Sequence, residues 1–468
     1  MDGGVQVLAD RDEWASSQFA DADLGDRRRT KRLVRLATQV AGNSSGSIPQ
    51  QTGGGADMKA AYRLFAEPEV THAAICQPHF ELTRQLASRI PMVFLVQDTM
   101  VLNYTSHAAC VGLGPIGEGG FVGLHQQNVL AVDPIRRRAL GLMYQKHHVR
   151  KPHPKGWEAD RSARRAVPPE QRESHWWVAA IAAIGSPPQG VRWVHVGDRG
   201  EDLFLAYHEA RKQHTDWLIR VSHDRRVDTP DGQGHLFSYV QSLPVRLTRT
   251  ISIRRADGRN EDVDLNVSAG TVTLKPAPME PHQRGFDPIE CWVVRVWERS
   301  PAKDAEPLEW ILCTSLSCQD DEMLRFVAEG YALRWMIEEF HKCQKTGCQV
   351  EMRRLEHVDR LEPLIGLLSV LAAWLLQLKF VARDEPDMPA TELFQKPMVQ
   401  VMARYMKCPS ATLSVGHFWR GIGRLGGHPG RKGDGAVGWL RAWRGWQSFQ
   451  WMMLGAELAA DQGPEDCG

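Results

Sequence analysis

Residues 92–222 alternate between short apolar runs and amphipathic segments, and this alternation restricts the possible folds more than any other feature of the chain. Short apolar runs are expected to form buried strands, and the longer segments between them have helical spacing. The alternation is typical of an α/β layer whose sheet is mainly buried. The predicted strands are 92–96, 121–132, 139–149, 191–198 and 217–222, and the predicted helices are 168–184 and 202–213.

The segment that precedes this α/β region has a different pattern. Residues 1–70 show helical periodicity, including an apolar stripe of Leu33, Leu36 and Val40. The Gly-, Ser- and Gln-rich stretch 43–55 predicts a loop. A small N-terminal helical unit is therefore expected, and its arginine-rich helix suits contact with DNA.

The segments that follow the α/β region change character twice. Residues from about 225 to 315 alternate with a period of two and contain glycine turns, which predicts an all-β insertion. An apolar segment at 361–380 and an aromatic-rich segment at 436–460 predict C-terminal helices. The aromatic stripe fits packing on its own domain as well as on a second subunit, and it consists of Trp439, Trp443, Trp446 and Met453. The expected domains are 1–70, 71–370 with the insertion, and 371–468.

The composition excludes several classes of protein. Of the 468 residues, 43% are hydrophobic and 24% charged, as in ordinary globular proteins. No basic segment followed by an apolar run opens the chain, so no signal peptide is expected. The most uniformly apolar run, 364–378, has 15 residues, which is short for a membrane span. Nine cysteines without a regular framework favour the reducing cytoplasm. Thiol-bound zinc is a minor alternative, based on the pairs Cys313/Cys318 and Cys343/Cys348.

Basic residues are concentrated in separate patches although the net charge is only +1. Residues 27–35 hold six basic residues and no acidic one, and 146–165 hold seven basic and two acidic residues. Residues 396–446 hold nine basic residues against the single acid Asp434. Any one patch is explained by an ordinary solvated face, but three patches favour a protein that contacts a polyanion at several places.

The stretch 331–345 reads as an amphipathic helix with an unusual polar face. At about 100° per residue, four polar residues fall within roughly 60° of one another. A tyrosine, two cations and a carboxylate on one face suit a bound metal and phosphate, whereas a solvated face with i,i+4 pairs is the alternative. The four residues are Tyr331, Arg334, Glu338 and Lys345, with Trp335 and His341 close to the same face.

Three carboxylates are placed where the predicted elements converge. Asp98 and Asp198 each end a predicted strand, and Glu338 lies on the later helix. Converging carboxylates repel one another unless a cation lies between them, and hard oxygen ligands suit Mg²⁺ or Mn²⁺. Two ions about 3.5–4 Å apart would promote phosphodiester displacement. Each aspartate by itself is more often a structural cap of a loop.

The sequence resembles the bacterial cut-and-paste DDE transposases of the insertion-sequence four group. Tyr331-x2-Arg334-x3-Glu338-x6-Lys345 resembles the Y-R-E-K signature of that family. Further segments resemble the family in the same order: LGDRRRTKRL, VQDTMVLNY, VGDRGEDLFLAY and RLGGHPGRKGDGAVGWLRAWRGW. The resemblance implies an RNase H-like catalytic core with an all-β insertion, flanked by an N-terminal DNA-binding domain and a C-terminal helical dimerisation domain.

The resemblance also implies a role for individual residues. Asp98, Asp198 and Glu338 would bind two Mg²⁺ ions, with Mn²⁺ possible. Tyr331, Arg334 and Lys345 would contact phosphates of the transposon end near the cleavage point, and Arg220 would lie near the DNA at the active site. Trp310 would stack on a flipped base, an interaction worth roughly 1–3 kcal/mol, with a core tryptophan as the alternative and Trp335 as the second candidate. The inverted repeat would be bound by Arg27, Arg28, Lys31 and Arg32.

The reaction implied by the resemblance is DNA transposition. Water would nick one strand at the transposon end, and the freed 3′-OH would attack the opposite strand to form a hairpin. A second water would open the hairpin, and the 3′-OH would join target DNA. A homodimer in the DNA complex and a location at the bacterial nucleoid are implied. A transposition-defective repressor and a nuclease without strand transfer are the alternatives.

Parts of the chain depart from the family pattern. Residues 107–123 and 146–165 match it poorly, which leaves the DNA contacts of these loops undefined. Three further acidic residues lie near the proposed metal ligands, namely Glu201, Asp202 and Glu339. The strand-end position favours Asp198, and the spacing from Arg334 favours Glu338.

Overall fold

A computed structural model of the protein describes residues 10–107, 109–152, 167–254, 260–277, 280, 283–300, 307–431 and 437–461. The helices are α1 Arg11–Phe19, α2 Arg27–Gly42, α3 Ile48–Thr52, α4 Gly55–Phe65, α5 His72–Ala87, α6 His175–Ile184, α7 Phe204–Lys212, α8 Leu236–Ser242, α9 Asp321–Gly330, α10 Trp335–Lys342, α11 Val358–Asp384, α12 Lys396–Met406, α13 Val415–Leu425 and α14 Trp439–Asp461. The strands are β1 Met92–Asn103, β2 Gly114–Pro115, β3 Val122–Asp133, β4 Arg138–His148, β5 Arg192–Gly197, β6 Asp216–Arg220, β7 Arg226–Thr229, β8 Gly232–His235, β9 Leu247–Arg254, β10 Asn260–Leu274, β11 Ile289–Glu298 and β12 Glu309–Thr314.

Within the described ranges, the strands form one mixed sheet, and this confirms the predicted α/β core in outline. The strand order is β2-β3-β1-β5-β6-β12-β11-β10-β7-β8, with β4 on β3 and β9 on β10. β1, β5 and β6 run parallel, whereas β3 is antiparallel to both β1 and β4. Parallel strands need crossover connections, and helices α6 and α7 lie in the connections between β4, β5 and β6.

β1 is longer than its apolar run predicts. The expected strand 92–96 with Asp98 at its end is wrong, because β1 continues to Asn103 and Asp98 pairs with Asn128 of β3 inside the strand. β5 is the strand that ends here, at Gly197, directly before Asp198. The antiparallel ladder with β3 supplies hydrogen bonds beyond the point where β5 stops, so polar residues after the apolar run stay extended.

The expected insertion at about 225–315 is mainly β but includes the short helix α8, so the all-β prediction is wrong in this detail. Leu236 and Val240 lie one turn apart on α8 and are both buried, which explains why this segment packs as a helix. The strands of this region extend the central sheet, because β12 pairs with β6 through Leu312 and Arg220.

The expected loop at 43–55 also contains a helix that composition did not indicate. α3 is preceded by Ser47, which forms a capping box with Gln50. Ile48, the first residue of α3, is buried. Reciprocal capping at the first turn satisfies backbone groups that would otherwise lack partners, and this stabilises a helix of only a few residues.

Helix α11 lies at the centre of the hydrophobic core. It is long and apolar enough to cross a membrane, but 89% of its most apolar window is buried inside the protein. It is therefore a core helix, as the length of its apolar run predicts. The expected domain boundary between residues 370 and 371 falls within this helix.

Aromatic contacts join the N-terminal and C-terminal helices through α11. Trp14 of α1 stacks on Trp374 of α11 with ring centroids 4.9 Å apart. Trp446 of α14 contacts Trp374 edge-on at 6.4 Å. The stripe of Trp439, Trp443, Trp446 and Met453 is buried in its own chain, at 8% exposure or less. Of the two packing alternatives that the sequence leaves open, the structure selects packing on the same chain.

Buried histidines make the fold sensitive to acid, and His195 is the clearest case. It is fully buried in β5, and burial lowers the pKa of its imidazole to about 3. Between pH 6.5 and 3 the unfolded chain binds a proton that the folded chain excludes, so stability falls as the pH falls. At pH 5.5 this one group should cost on the order of 1 kcal/mol.

We therefore expect His195→Leu to reduce the loss of stability between pH 7.5 and 5.5, measured as the shift in the urea midpoint. The control is His223→Leu, because His223 is exposed. An equal pH dependence in wild type and His195→Leu would contradict this account.

Candidate active site and DNA-binding helix

The register of the parallel strands places two aspartates at one edge of the sheet. Val96 of β1 pairs with Val196 of β5, and continuing by two residues sets Asp98 beside Asp198. Asp198 caps the short turn that follows β5, and its Oδ1 accepts a hydrogen bond from Gly200 N at 2.7 Å. Asp98 Oδ1 accepts one from Thr99 N at 2.7 Å. The predicted proximity is therefore found, although Asp98 lies within its strand.

The segment that carries Glu338 is not the single regular helix that its sequence predicts. After α9, Tyr331–Arg334 form a 3₁₀ turn, α10 follows, and Cys343–Gly347 form a π turn. Close packing accompanies these irregular turns: a Cβ at Gly330 would lie 2.9 Å from the Phe94 ring, and one at Gly347 only 2.0 Å from Trp443. The predicted α-helical spacing of 331–345 is thus wrong both before Trp335 and beyond Lys342.

Glu338 and Arg334 lie against Asp98. Arg334 Nη1 is 3.6 Å from Asp98 Oδ2 and 3.5 Å from Glu338 Oε1. Burial, followed by the charges of Asp198 and Glu338, raises the pKa of Asp98 to about 7, although the Thr99 amide and Arg334 act in the opposite direction. The other two carboxylates predicted from the sequence are therefore both close enough to repel Asp98.

His341 joins this cluster and was left out of the site predicted from the sequence. The possible ligand atoms of Asp98, Glu338 and His341 all lie within 4.8 Å of one another. Asn128 Nδ2 donates to His341 Nε2 at 3.1 Å, and burial lowers the imidazole pKa to about 3. Asp198 is outside this tight group but acts on Asp98 electrostatically. The signal for His341 was its position one helical turn after Glu338.

Tyr331, Trp310 and Arg220 line the same region. Tyr331 is 4% exposed, and its ring contacts that of Trp310 edge-on with centroids 5.3 Å apart. Burial raises the Tyr331 pKa to about 12, although Arg334 and Arg220 oppose this effect. Arg220 ends β6, where its Nη2 donates to Glu309 O at 3.0 Å. Aromatic and cationic groups thus surround the carboxylates.

The contacts of Trp335 and Lys345 are with residues other than the three carboxylates. Trp335 is 58% exposed, and the Arg334 guanidinium lies 5.4 Å from its ring centroid. Lys345 Nζ is 3.3 Å from Glu351 Oε1, which also accepts from the backbone N of Asn103. The structure therefore places Lys345 near the C-terminal end of β1, and Trp335 presents an open aromatic surface.

The basic residues of α2 differ in whether their side chains pair with a carboxylate. Arg27 and Lys31 are exposed. Arg28 pairs with the N-cap Asp26 at 2.9 Å, and Arg32 pairs with Asp57 of α4 at 2.8 Å. Arg32 therefore ties α2 to α4, a structural role that the sequence did not reveal.

Of the two segments that match the family poorly, 107–123 is largely described by the structure and 146–165 is mostly not. In 107–123, β2 pairs with β3, and Val111 N donates to Glu356 O at 2.7 Å. Most of the basic segment 146–165 lies outside the described residues.

A family model described as transposase DNA-binding matches residues 11–70. The match covers α1 to α4, including the basic helix α2. It supports a transposase that binds DNA, with an N-terminal helical DNA-binding domain followed by the mixed α/β core and C-terminal helices.

The raised pKa of Asp98 predicts that this residue destabilises the metal-free protein. Its folded pKa exceeds its unfolded value, so ionisation at neutral pH opposes folding. We expect Asp98→Asn to raise stability at pH 7.5 in EDTA by up to roughly 4 kcal/mol, measured from the urea midpoint. Asp198→Asn should have a smaller effect, because it removes only the repulsion. A destabilised Asp98→Asn protein would show that the Arg334 contact outweighs burial.

The division of basic residues on α2 predicts two kinds of variant. Arg27→Ala and Lys31→Ala should weaken binding to duplex DNA and each reduce the salt slope by about 1, with unchanged melting temperature. Arg32→Ala should lower the melting temperature, because Arg32 is one of three α2 side chains, with Arg35 and Gln39, that bind Asp57 of α4. Arg89→Ala is the matched control, as an exposed cation on another surface. Equal DNA affinity in all four variants would exclude α2 as the contact.

Proposed function

We propose that this protein is a DNA transposase that binds the inverted-repeat ends of its element, cleaves them through a hairpin intermediate and joins the 3′-OH ends to target DNA. The observation that carries the proposal is the convergence of Asp98, Asp198 and Glu338 in a chain with a transposase DNA-binding domain. Neighbouring aromatic and cationic residues are those of the Y-R-E-K resemblance.

The topology supports an RNase H-like catalytic core. Three parallel strands, β1, β5 and β6, lie beside an antiparallel β3, and the carboxylates lie where β5 ends. The β-rich segment between β6 and α9 extends this sheet and brings Trp310 against Tyr331. In the proposed reaction, an insertion in this position would bring an aromatic ring beside the reacting strand end.

The residues present fit divalent metal ions. Asp98 has a pKa raised to about 7 because it is buried among like charges, an arrangement that a cation would relieve. Asp98, Asp198 and Glu338 supply the hard oxygen ligands that suit Mg²⁺ or Mn²⁺, and His341 is near enough to add a nitrogen. When bound, two such ions would supply charge stabilisation for the attacking and leaving oxygens.

The chain's own residues orient the DNA for four successive displacements at one site. Arg334 lies between Asp98 and Glu338, where its guanidinium can bind a phosphate once the carboxylates are neutralised. Tyr331 and Arg220 adjoin it and limit how the phosphate can sit. Trp310 and the exposed Trp335 offer faces on which an unpaired base can stack, which would keep the hairpin strand bent. Lys345 would contact a phosphate farther along the strand.

The assembly and location follow from this reaction. Joining two ends requires both to be held together, so a homodimer in the DNA complex is proposed. The apolar face that α14 leaves exposed is available for this contact, with Leu440, Trp451, Leu454 and Leu458. The protein would act in the bacterial cytoplasm on nucleoid DNA, without a membrane.

The test is incubation of the purified protein and Mg²⁺ with DNA taken from the sequences that flank its gene. Hairpinned ends and joined products are expected for transposition. Nicking alone would indicate a nuclease, and binding without cleavage a repressor. Glu338→Ala should reduce the rate of cleavage by at least about 10²-fold, and it should leave the affinity for the end DNA unchanged.

The matched control is Glu322→Ala on α9, which removes an exposed carboxylate outside the cluster and should leave cleavage unchanged. Undiminished cleavage by Glu338→Ala would overturn the assignment of the metal ligands.

A further inference from the structure

A buried polar pair lies directly behind the two aspartates. Gln97 and Glu201 both have no exposed surface, and Gln97 Nε2 donates to Glu201 Oε1 at 2.8 Å. Gln97 Oε1 and Glu201 Oε2 have no hydrogen-bond partner within the described ranges. The proposed reaction does not use this pair.

The pair joins the two segments that carry the aspartates. Gln97 precedes Asp98 in β1 and points to the opposite face of the sheet, as alternate residues of a strand do. Glu201 lies in the turn that Asp198 caps. The paired register of β1 and β5 ends at Val96 and Val196, before either aspartate is reached. Beyond this point, the Gln97–Glu201 bond is the side-chain hydrogen bond that the described residues show between the two segments.

The packing around Glu201 leaves this turn little freedom. A Cβ at Gly197 would lie only 1.9 Å from Glu201 Oε2, so the carboxyl group fills the space beneath the end of β5. On the other side, a Cβ at Gly200 would lie 3.0 Å from the Trp177 ring. The turn is thus held between α6 and the strand end.

The position of the pair matters because Asp98 and Asp198 repel each other. The register of β1 and β5 sets the two carboxylates side by side, and neighbouring like charges repel each other. Repulsion favours separation of the two segments beyond the end of their ladder. A hydrogen bond between side chains on the reverse face opposes that separation.

Stability alone does not account for such a pair. Two apolar side chains of the same shape in place of a buried hydrogen-bonded pair are often neutral or stabilising. A polar pair at this place therefore points to a requirement for defined geometry.

We propose that Gln97 and Glu201 are positioning residues that hold Asp98 and Asp198 at the spacing required for divalent metal binding. The inference rests on the proposed function, because it takes the aspartates as metal ligands. Residues behind metal ligands typically alter metal affinity by 10–100-fold when replaced.

The experiment compares Gln97→Met/Glu201→Met with Glu201→Gln in two assays. The first is Mn²⁺ binding to the protein without DNA, by calorimetry, and the second is the Mg²⁺ concentration for half-maximal end cleavage. We expect the double variant to bind Mn²⁺ about 10-fold or more weakly and to need correspondingly more Mg²⁺, with a urea midpoint near that of wild type. Glu201→Gln keeps an oxygen that accepts from Gln97 and should behave as wild type.

Val194→Ala is the control for general destabilisation, because Val194 is buried in β5 and pairs with Phe94, which puts its side chain on the face of the sheet opposite Gln97. It should lower the urea midpoint and leave the metal affinity unchanged. If the double variant does not fold, Gln97→Met alone replaces it in both assays, because this single change also removes the hydrogen bond.

The outcomes separate the two hypotheses. Wild-type metal affinity in the double variant would overturn the positioning role while leaving the proposed function intact. An equal loss of affinity in Val194→Ala would also overturn it, since any destabilisation would then suffice. A wild-type protein that neither binds Mn²⁺ nor cleaves DNA would overturn the proposed function, and the positioning role with it.

Discussion

Electrostatic repulsion around Asp98 is the constraint on which the arrangement of this site depends. Parallel pairing of β1 with β5 brings Asp98 beside Asp198, and α10 adds Glu338 on the same side. Such a group opposes folding in the absence of a cation, because burial and like charge both disfavour ionised Asp98. The surrounding core must offset this cost, and α11 with the aromatic contacts of Trp374 supplies much of the buried apolar surface.

Several features of the structure limit this repulsion without removing it. Arg334 lies within 4 Å of both Asp98 and Glu338 and provides the one cation in direct contact with the two in the described chain. On the reverse face of the sheet, Gln97 and Glu201 join the segments that follow the ladder. Neighbouring structure therefore holds the carboxylates close together against their mutual repulsion.

The sequence predicted the α/β core, the convergence of three carboxylates and the helical N-terminal unit, because apolar periodicity and residue type decide these locally. It did not predict that β1 continues through Asp98, since β3 rather than local composition keeps residues 98–103 extended. The irregular turns on either side of α10 were missed for a similar reason, as contacts with Phe94 and Trp443 adjoin them. Arg32 was predicted to contact DNA, and its pairing with Asp57 depends on the packing of α4.

By itself, the sequence determined which chemical groups are available and which elements carry them. Strand and helix periodicity set Asp98, Asp198 and Glu338 on elements that converge, and the family resemblance is the basis of the proposed reaction. Only the tertiary structure decided which neighbours act on them: His341 beside the carboxylates, Arg334 between two of them, and Glu201 buried behind Asp198. The physical reason is that burial and charge–charge distance depend on packing between segments up to about 240 residues apart, which local patterns do not encode.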